Sequence, residues 1–433
     1  MRRPVGSGSH PMVRPDTAAP PRPGPAAAWA RWGRLGERRR IVGWTLACAC
    51  SIAVYLYVRH LSHPSMVDLV VYRAEGLAVR EGIDLYGPLN TPHGLRATYP
   101  PFAALLFVPF TYLPLRVLLG VGVAVNLLLV AVVVRLSMRL VDPEGRRLGP
   151  AVVPAATTFA IWFEPVFTTM RYGQVNLAVA AMVLWDFTRP RGAALRGVVL
   201  GIATGIKVTP AVFVVYLLLT GRRREAGTAL ATAAATVAFS AMVLPGVTRR
   251  FWTDLVFDPE RVGRLENAAN QSIRGLLTRL AGTRDLGLGW TAVIVVVSLL
   301  GLCCTLIAYR RRGDAWGLPA CAVTGLLASP ISWSHHWVWC VPIALLLWTT
   351  LHGPHTRAHT ALFAGLLVFP SFLVWSVPHL PDQEWHMTDF ELFRSSCYVA
   401  YGLAFVLVAA HPGRLRPTRV PRSSVELTAG IRQ

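Results

Sequence analysis

The chain has 433 residues, 53% of them hydrophobic and 15% charged, with a formal net charge of +21 and a mean hydropathy of +0.45. It is too apolar for a soluble globular protein, and apolar runs long enough to cross a bilayer recur along it, so an all-α, polytopic integral membrane protein is expected. The arginines form short clusters between apolar runs, not one patch, which argues against a nucleic-acid partner. Cys48, Cys50, Cys303, Cys304, Cys321 and Cys340 lie inside apolar runs as small hydrophobes, and no CxxC or Cys/His spacing points to a disulfide framework or a metal site.

Residues 1–40 are Pro-rich and end in Arg31, Arg34, Arg38, Arg39 and Arg40, and read as a disordered cytoplasmic tail. The first span is expected at Ile41–Val58, its N-terminus held in the cytoplasm by those arginines. The polar segment from His60 to Pro101 then lies outside, with Asp68 near its start. Phe102–Leu113 is short, broken by Pro109, and reads as re-entrant or interfacial. Val117–Val134 returns to Arg135, Arg139, Arg146 and Arg147. Ala151–Phe163 goes out to the loop from Glu164 to Asn176, and Leu177–Phe187 returns to Arg189 and Arg191.

The stretch Gly197–Thr220 is long enough for one span, yet arginines flank both of its ends. With Gly and Pro at its centre, it is read as a hairpin of two short arms with Lys207 at the outer tip. Leu230–Leu244, Thr291–Ala308, Leu318–Leu327, Trp337–Leu351, Ala361–Trp375 and Ser395–Ala409 complete about twelve spans. Residues 41–411 make one transmembrane domain, and residues 412–433 form a second disordered cytoplasmic tail. Polar, aromatic-rich loops then share the outer face and arginine clusters the inner one.

The outer face gathers Asp68, Tyr72, Glu75, Tyr99, Arg171, Gln174, Asn176, Lys207, Asn270, Gln271, Trp333, His335 and His336. Each has an ordinary reading. Asp68 is a solvated loop acid, Lys207 snorkels to headgroups, Asn270 and Gln271 cap a helix at Ser272–Leu280, and Trp333 belongs to an interfacial belt. Convergence of a carboxylate, a lysine, an arginine and two imidazoles on one face favours chemistry instead. Such a set suits a lipid-linked phosphate, with cations holding the departing phosphate and a carboxylate taking a proton from an attacking hydroxyl. No Walker A loop, Rossmann fingerprint or DxD motif supports a nucleotide donor. His335 and His336, adjacent on a helix, would point about 100° apart, so one is expected to line the site and the other to pack. Which does so is open, with His335 favoured.

Seven segments carry a family resemblance: Asp68–Tyr72, Gly82–Tyr86, Thr98–Phe102, Gly173–Asn176, Gly205–Pro210, Asn270–Ser272 and Ser329–Trp337. In this order they resemble glycosyltransferase family 87, polyprenol-phosphate-mannose-dependent α-mannosyltransferases of the GT-C superfamily, over roughly residues 41–411. The resemblance implies inverting transfer from a polyprenyl-phosphate mannose donor to a lipid-linked glycan such as a phosphatidylinositol mannoside, on the extracytoplasmic side of the plasma membrane. Asp68 would be the general base, with His335 and His336 beside it. Lys207, Arg171, Gln174 and Asn176 are expected at the donor phosphate. Tyr72, Glu75, Tyr99, Asn270, Gln271 and Trp333 are expected to line the substrate. No cofactor is implied, and the need for a metal is left open, since some GT-C enzymes are metal-dependent. Two alternatives stand beside this: another polyprenyl-linked sugar such as arabinofuranose, and a transporter or flippase. A transporter should carry mid-membrane charges and internal repeats, and neither is evident.

The arginine distribution generates a topology prediction. Reporters fused after Arg80, Tyr172, Leu265 or Trp385 should read as extracytoplasmic, and those after Pro143, Pro190, Arg223 or Arg311 as cytoplasmic. An external signal at Arg223 with an internal one at Leu265 would overturn the hairpin.

Overall fold

The computed structural model describes residues 25–89, 91, 94–145 and 147–411. Among these residues the regular structure is helical, with a single isolated bridge between Asn270 and Trp333. The helices are α1 (Pro25–Ser62), α2 (Val67–Glu81), α3 (Pro101–Phe107), α4 (Leu115–Val141), α5 (Val152–Ala160), α6 (Glu164–Tyr172), α7 (Asn176–Thr188), α8 (Val198–Ile206) and α9 (Val212–Leu219). They continue as α10 (Arg223–Val243), α11 (Pro245–Thr253), α12 (Ile273–Ala281), α13 (Gly287–Arg312), α14 (Asp314–Ala328), α15 (Cys340–Leu351), α16 (Arg357–Gly365), α17 (Asp389–Ser395) and α18 (Cys397–Ala410).

Several of these helices are rich in Val, which by propensity alone favours strands. A chain in lipid must satisfy its backbone within each segment, and the helix does so. Polar side chains inside the apolar helices bond back to their own helix: Asn126 donates to Gly122 O at 3.0 Å and Ser137 to Val133 O at 2.7 Å.

Among the described residues four helices are long and apolar enough to cross a membrane, at Gly36–Ser62, Leu115–Val141, Arg223–Val243 and Gly287–Arg312. A fifth arises if α17 and α18, bent by 57° at their junction, count together. Most of the other expected spans are present as shorter pieces. Their apolar runs are cut by Pro, Gly or polar residues, as at Lys207 between α8 and α9 and in the 3-10 helix Val108–Tyr112 after α3. The first helix begins at Pro25, upstream of Ile41, so residues 25–40 are helical. Residues 1–24 and 412–433 lie outside the described residues.

The core runs along α4, α7, α14, α15 and α18, with Val130, Val134, Leu184, Val323, Leu346 and Phe405 buried together. The long helices on the outside expose apolar side chains: Leu46 is 62% accessible, Leu299 59% and Met242 81%. Such a surface is stable only against lipid or another apolar partner.

Arginines from several of the basic stretches meet near the start of α14. Asp314, which opens α14, takes Arg191 at 3.5 Å, Arg222, and the Tyr216 hydroxyl at 2.7 Å. Arg196 meets Glu225 at 3.4 Å, and Arg312 donates to the carbonyl of His411. Arg191 and Arg222 both reach Asp314, so the chain between them turns back on itself, with Lys207 at the far end. α8 runs in the same direction as α10, with Gly197, Gly201 and Gly205 seated in turn against Glu225, Ala229 and Thr236.

This seam is backbone-close. A Cβ built at Gly201 would lie 2.6 Å from the Ala229 carbonyl oxygen and 2.5 Å from Thr232 Cβ. Gly201→Ala should therefore destabilise the protein by about 1–3 kcal/mol through overpacking. Gly227→Ala, on an open face of α10 with nothing near its Cβ, should be neutral or stabilising by up to about 1 kcal/mol. Thermal unfolding in detergent compares the two, and equal effects would refute the close seam.

Candidate active site

The site begins at the start of α2. Met66, its N-cap, has φ +46°, a left-handed turn that reverses the chain out of α1. Asp68 falls in the first turn of α2, where unpaired backbone N–H groups favour a carboxylate. That would suffice for a purely structural acid. Asp68, however, lines a cavity of about 870 Å³ shared with Tyr99, Gln174, Lys207, His335 and His336. Burial pushes its carboxyl up to about 6, against the pull of a Gln174 hydrogen bond and the Lys207 charge.

A pair of tyrosines orients the group that touches Asp68. The hydroxyls of Tyr72 and Tyr99 each donate to Gln174 Oε1 at 2.8 Å. With that oxygen taken, the amide nitrogen of Gln174 is left to face the carboxylate. The local reason is Gly173, at φ +72°, which ends α6 and lets Gln174 turn inward. A Cβ there would meet Leu69 Cβ at 2.7 Å, so α2 and α6 approach closely only with glycine at this position.

The cationic wall is built by three elements. Lys207, at the break between α8 and α9, donates through Nζ to Asn176 Oδ1 at 2.7 Å and lies 3.1 Å from His336 Nε2. It also sits 5.3 Å from the Tyr99 ring centroid. Asn176, the first residue of α7, uses its amide N–H to hold the His335 carbonyl at 3.0 Å, and Thr169 donates to the same oxygen at 3.0 Å. Burial and the neighbouring Lys207 charge keep both imidazoles well below their usual range, hence neutral.

His335 and His336 both line the cavity, which corrects the expectation that only one would. Ser334–Trp339 is a 3-10 helix with a kink at Trp337, not an α-helical turn. Their rings stand perpendicular, 5.0 Å apart. His336 engages Lys207, while His335 packs edge-on against Tyr172 and leaves Nε2 buried without a partner.

Several other expected residues are not brought into the cavity. Arg171 is exposed at the end of α6 and is absent from the cavity wall. Glu75 lies two turns beyond Asp68 on α2, 1% accessible and behind the wall. Burial first, then the Asp68 charge, raise its carboxyl to about 8. Asn270 and Gln271 neither line the cavity nor cap a helix, since Ser272 caps α12 by accepting from Gly275 N at 3.0 Å. They are fully buried loop staples. Asn270 accepts from Ser332 N at 2.9 Å, and Gln271 accepts from Tyr398 N at 3.1 Å and donates to Ala268 O at 2.7 Å. The bridge they form with the 330–334 segment places Trp333 on the cavity wall, packed over Gly263.

Two residues of the site escaped sequence reasoning. Arg261 lines the cavity and clamps its rim, donating to the carbonyls of Leu255, Ala97 and Thr98 at 2.8, 3.1 and 2.9 Å. Glu164 is fully buried and accepts hydrogen bonds from four side chains beneath the histidine segment. Neither carried a local signal: one is an arginine in a polar loop, the other an acid before a proline at a helix start. Among the described residues no group of three or more His, Cys, Asp or Glu is placed to hold a metal ion.

A second, narrower pocket opens from the same lysine. It shares Lys207, Thr209, Val212, Ser329 and His336 with the main cavity and runs inward along Val183, Phe213 and Leu326. The site is therefore polar toward one side and apolar toward the other, with the ammonium at the junction.

Residues 97–330 match the family model of Glycosyltransferase family 87. A polyprenol-phosphate-mannose-dependent alpha-(1-2)-phosphatidylinositol pentamannoside mannosyltransferase of Mycobacterium tuberculosis (strain CDC 1551 / Oshkosh) is 36% identical over 379 residues, covering 82% of this chain and 84% of that protein. Its counterpart in Mycolicibacterium smegmatis is 35% identical over 360 residues, 81% and 83% of the two chains. A polyprenol-phosphate-mannose-dependent alpha-(1-2)-phosphatidylinositol mannoside mannosyltransferase of Mycobacterium tuberculosis (strain ATCC 25618 / H37Rv) is 33% identical over 439 residues, 94% and 98%. No solved structure matches. With the family model spanning the segments that build the cavity from Tyr99 to Ser329, and relatives aligned over most of the chain, this protein belongs to glycosyltransferase family 87.

Proposed function

We propose that this chain is an integral-membrane mannosyltransferase. It moves mannose from polyprenyl-phosphate mannose to a hydroxyl of a phosphatidylinositol mannoside-like acceptor, with inversion, to give an α-mannoside. The observation that carries this reading is the junction at Lys207, where an ammonium stands between a polar chamber holding Asp68 and an apolar slot. A lipid phosphate needs both surroundings at once. The relatives, named for that donor and for phosphatidylinositol mannosides, supply the substrate class.

In this mechanism the acceptor oxygen attacks the anomeric carbon as the bond from that carbon to the phosphate oxygen breaks. Asp68 takes the hydroxyl proton, and the electron pair leaves on the phosphate, where Lys207 and Asn176 hold the added charge. Burial raises both carboxyls of α2, and Glu75 further than Asp68 because the Asp68 charge adds to it. With its place on the cavity wall, this supports Asp68 as the base. The neutral imidazole of His335 donates to the donor without adding charge, while His336 holds Lys207.

The surrounding architecture is a GT-C bundle of about twelve spans, several of them short or broken. Both termini and the arginine end are cytoplasmic, and the Asp68 cavity is extracytoplasmic. Support comes from the segregation of arginines around Asp314 at the end opposite Lys207. Residues 41–411 form the catalytic domain.

Membranes given radiolabelled polyprenyl-phosphate mannose and phosphatidylinositol mannosides test the activity, and absence of labelled product would reject it. Asp68→Asn should cut turnover by about 10²–10⁴-fold with donor binding retained. A base must be ionised to act, so kcat/KM should fall as pH drops through about 6 and hold above it. A flat profile there, or near-normal Asp68→Asn turnover, would remove Asp68 from this role. Lys207→Met should raise the donor KM by about 10–150-fold, as the loss of a charge-assisted contact implies.

A further inference from the structure

Glu164 is the first residue of α6 and lies outside the cavity wall. Its Oε1 accepts from Thr168 Oγ1 at 2.7 Å, Ser334 Oγ at 2.8 Å and Trp375 Nε1 at 2.7 Å. Its Oε2 accepts from Tyr398 OH at 2.8 Å. The side chain is wholly inaccessible, and no Lys, Arg or His forms an ion pair with it among the described residues. An acid buried without a cation is costly unless every oxygen is satisfied. Here four neutral donors from four separate segments do so.

Those segments bear on catalysis unequally. Thr168 belongs to the same helix as Glu164, and Tyr398 lies in the first turn of α18, against the Gln271 staple. Ser334 immediately precedes His335 and His336. Trp375 lines the cavity from the 3-10 helix Leu373–Trp375. One carboxyl therefore ties two walls of the site to a fixed point on α6, the helix that also supplies Thr169 to the His335 carbonyl.

We propose that Glu164 is a positioning residue of the transfer reaction, which holds the Ser334–His335–His336 segment and Trp375 in register so that His336 meets Lys207 and orients its ammonium toward the donor phosphate. The role rests on the mannosyl-transfer reading of the Lys207 junction. Glu164 touches neither substrate nor reacting atoms, and acts through Ser334 and Trp375. Its effect belongs mainly to donor binding, because the group it places, His336, contacts the ammonium that takes the phosphate.

The test uses full-length protein in membranes, with donor KM and kcat read separately. Ser334→Ala deletes one donor to the carboxyl with little change of volume, and Trp375→Phe deletes another while keeping an aromatic ring at the cavity wall. Each should raise the donor KM by about fivefold, the fold-change expected for one buried hydrogen bond, with kcat changed by less than about twofold. Glu164→Gln should stay close to wild type, because its amide oxygen keeps the three Oε1 contacts and its amide nitrogen donates to the Tyr398 hydroxyl. In Glu164→Ala the donor KM rises further, and adding Ser334→Ala should change it little, since that hydroxyl no longer has its acceptor.

Full additivity of the double variant would overturn the proposal, as would Glu164→Gln behaving like Glu164→Ala. Where Glu164→Ala fails to accumulate, the two donor deletions decide, and unchanged KM in both overturns it. Wild-type membranes that transfer no mannose would instead fail the proposed activity. Thermal stabilisation of the purified variants by polyprenyl phosphate then reads the Ser334 and Trp375 effects without turnover.

Discussion

The burial of one ammonium group organises this structure. Lys207 sits in an apolar stretch and is 7% accessible, a placement that is tolerable only if its N–H groups find acceptors. Asn176 and His336 supply them, and they come from different parts of the chain, the start of α7 and the 3-10 helix after α14. The lysine thus draws three segments to one point. The break between α8 and α9 is what brings the ammonium there, since an unbroken helix would carry residue 207 along the α10 seam.

A second layer of buried polar groups keeps that point fixed. Asn270 and Gln271 stitch the 268–272 loop to the 330–334 segment, and Arg279 caps the same region from below by donating to the carbonyls of Asn267 and Ser395 at 3.0 and 3.1 Å. Glu164 anchors the far side. Such networks are high-stakes, because a half-satisfied one is worse than an apolar core. Here they hold loops that could not be positioned by hydrophobic packing, which has no direction.

What the sequence made legible follows from this physics. Asp68, Lys207, Gln174 and Asn176 could be singled out because each stands as a polar residue in an apolar or glycine-flanked setting. The all-helical character could be read from run length alone. Arg171 misled because a charge beside a motif was taken as part of it, whereas side-chain direction at the end of α6 turns it outward. Asn270 and Gln271 were singled out rightly as unusual and wrongly as substrate-lining. A buried amide that satisfies backbone and one that meets a ligand look alike in sequence. Glu164 and Arg261 were invisible because their partners are distant in the chain, Trp375 and Tyr398 for one, Ala97 and Thr98 for the other. The helical pieces that replace full-length spans were foreshadowed only at Lys207 and Pro109, where the breakers are local.

The geometry around Lys207 also fixes how the two histidines differ. A charged lysine has three N–H donors and no acceptor. One donor goes to Asn176 Oδ1, so the contact with His336 Nε2 requires the imidazole to accept there and carry its proton on Nδ1. His336 is therefore committed to the lysine, not to the substrate, through its Nε2. Lys207 lines both the main cavity and the apolar slot, so its remaining N–H lies at their junction. His335 is in the opposite position. Its carbonyl is pinned by Thr169 and Asn176, its ring packs on Tyr172, and its Nε2 is buried without a protein partner. The adjacent histidines thus differ in their contacts: His336 is bound to the lysine through Nε2, and His335 leaves its Nε2 without a protein partner on the cavity wall.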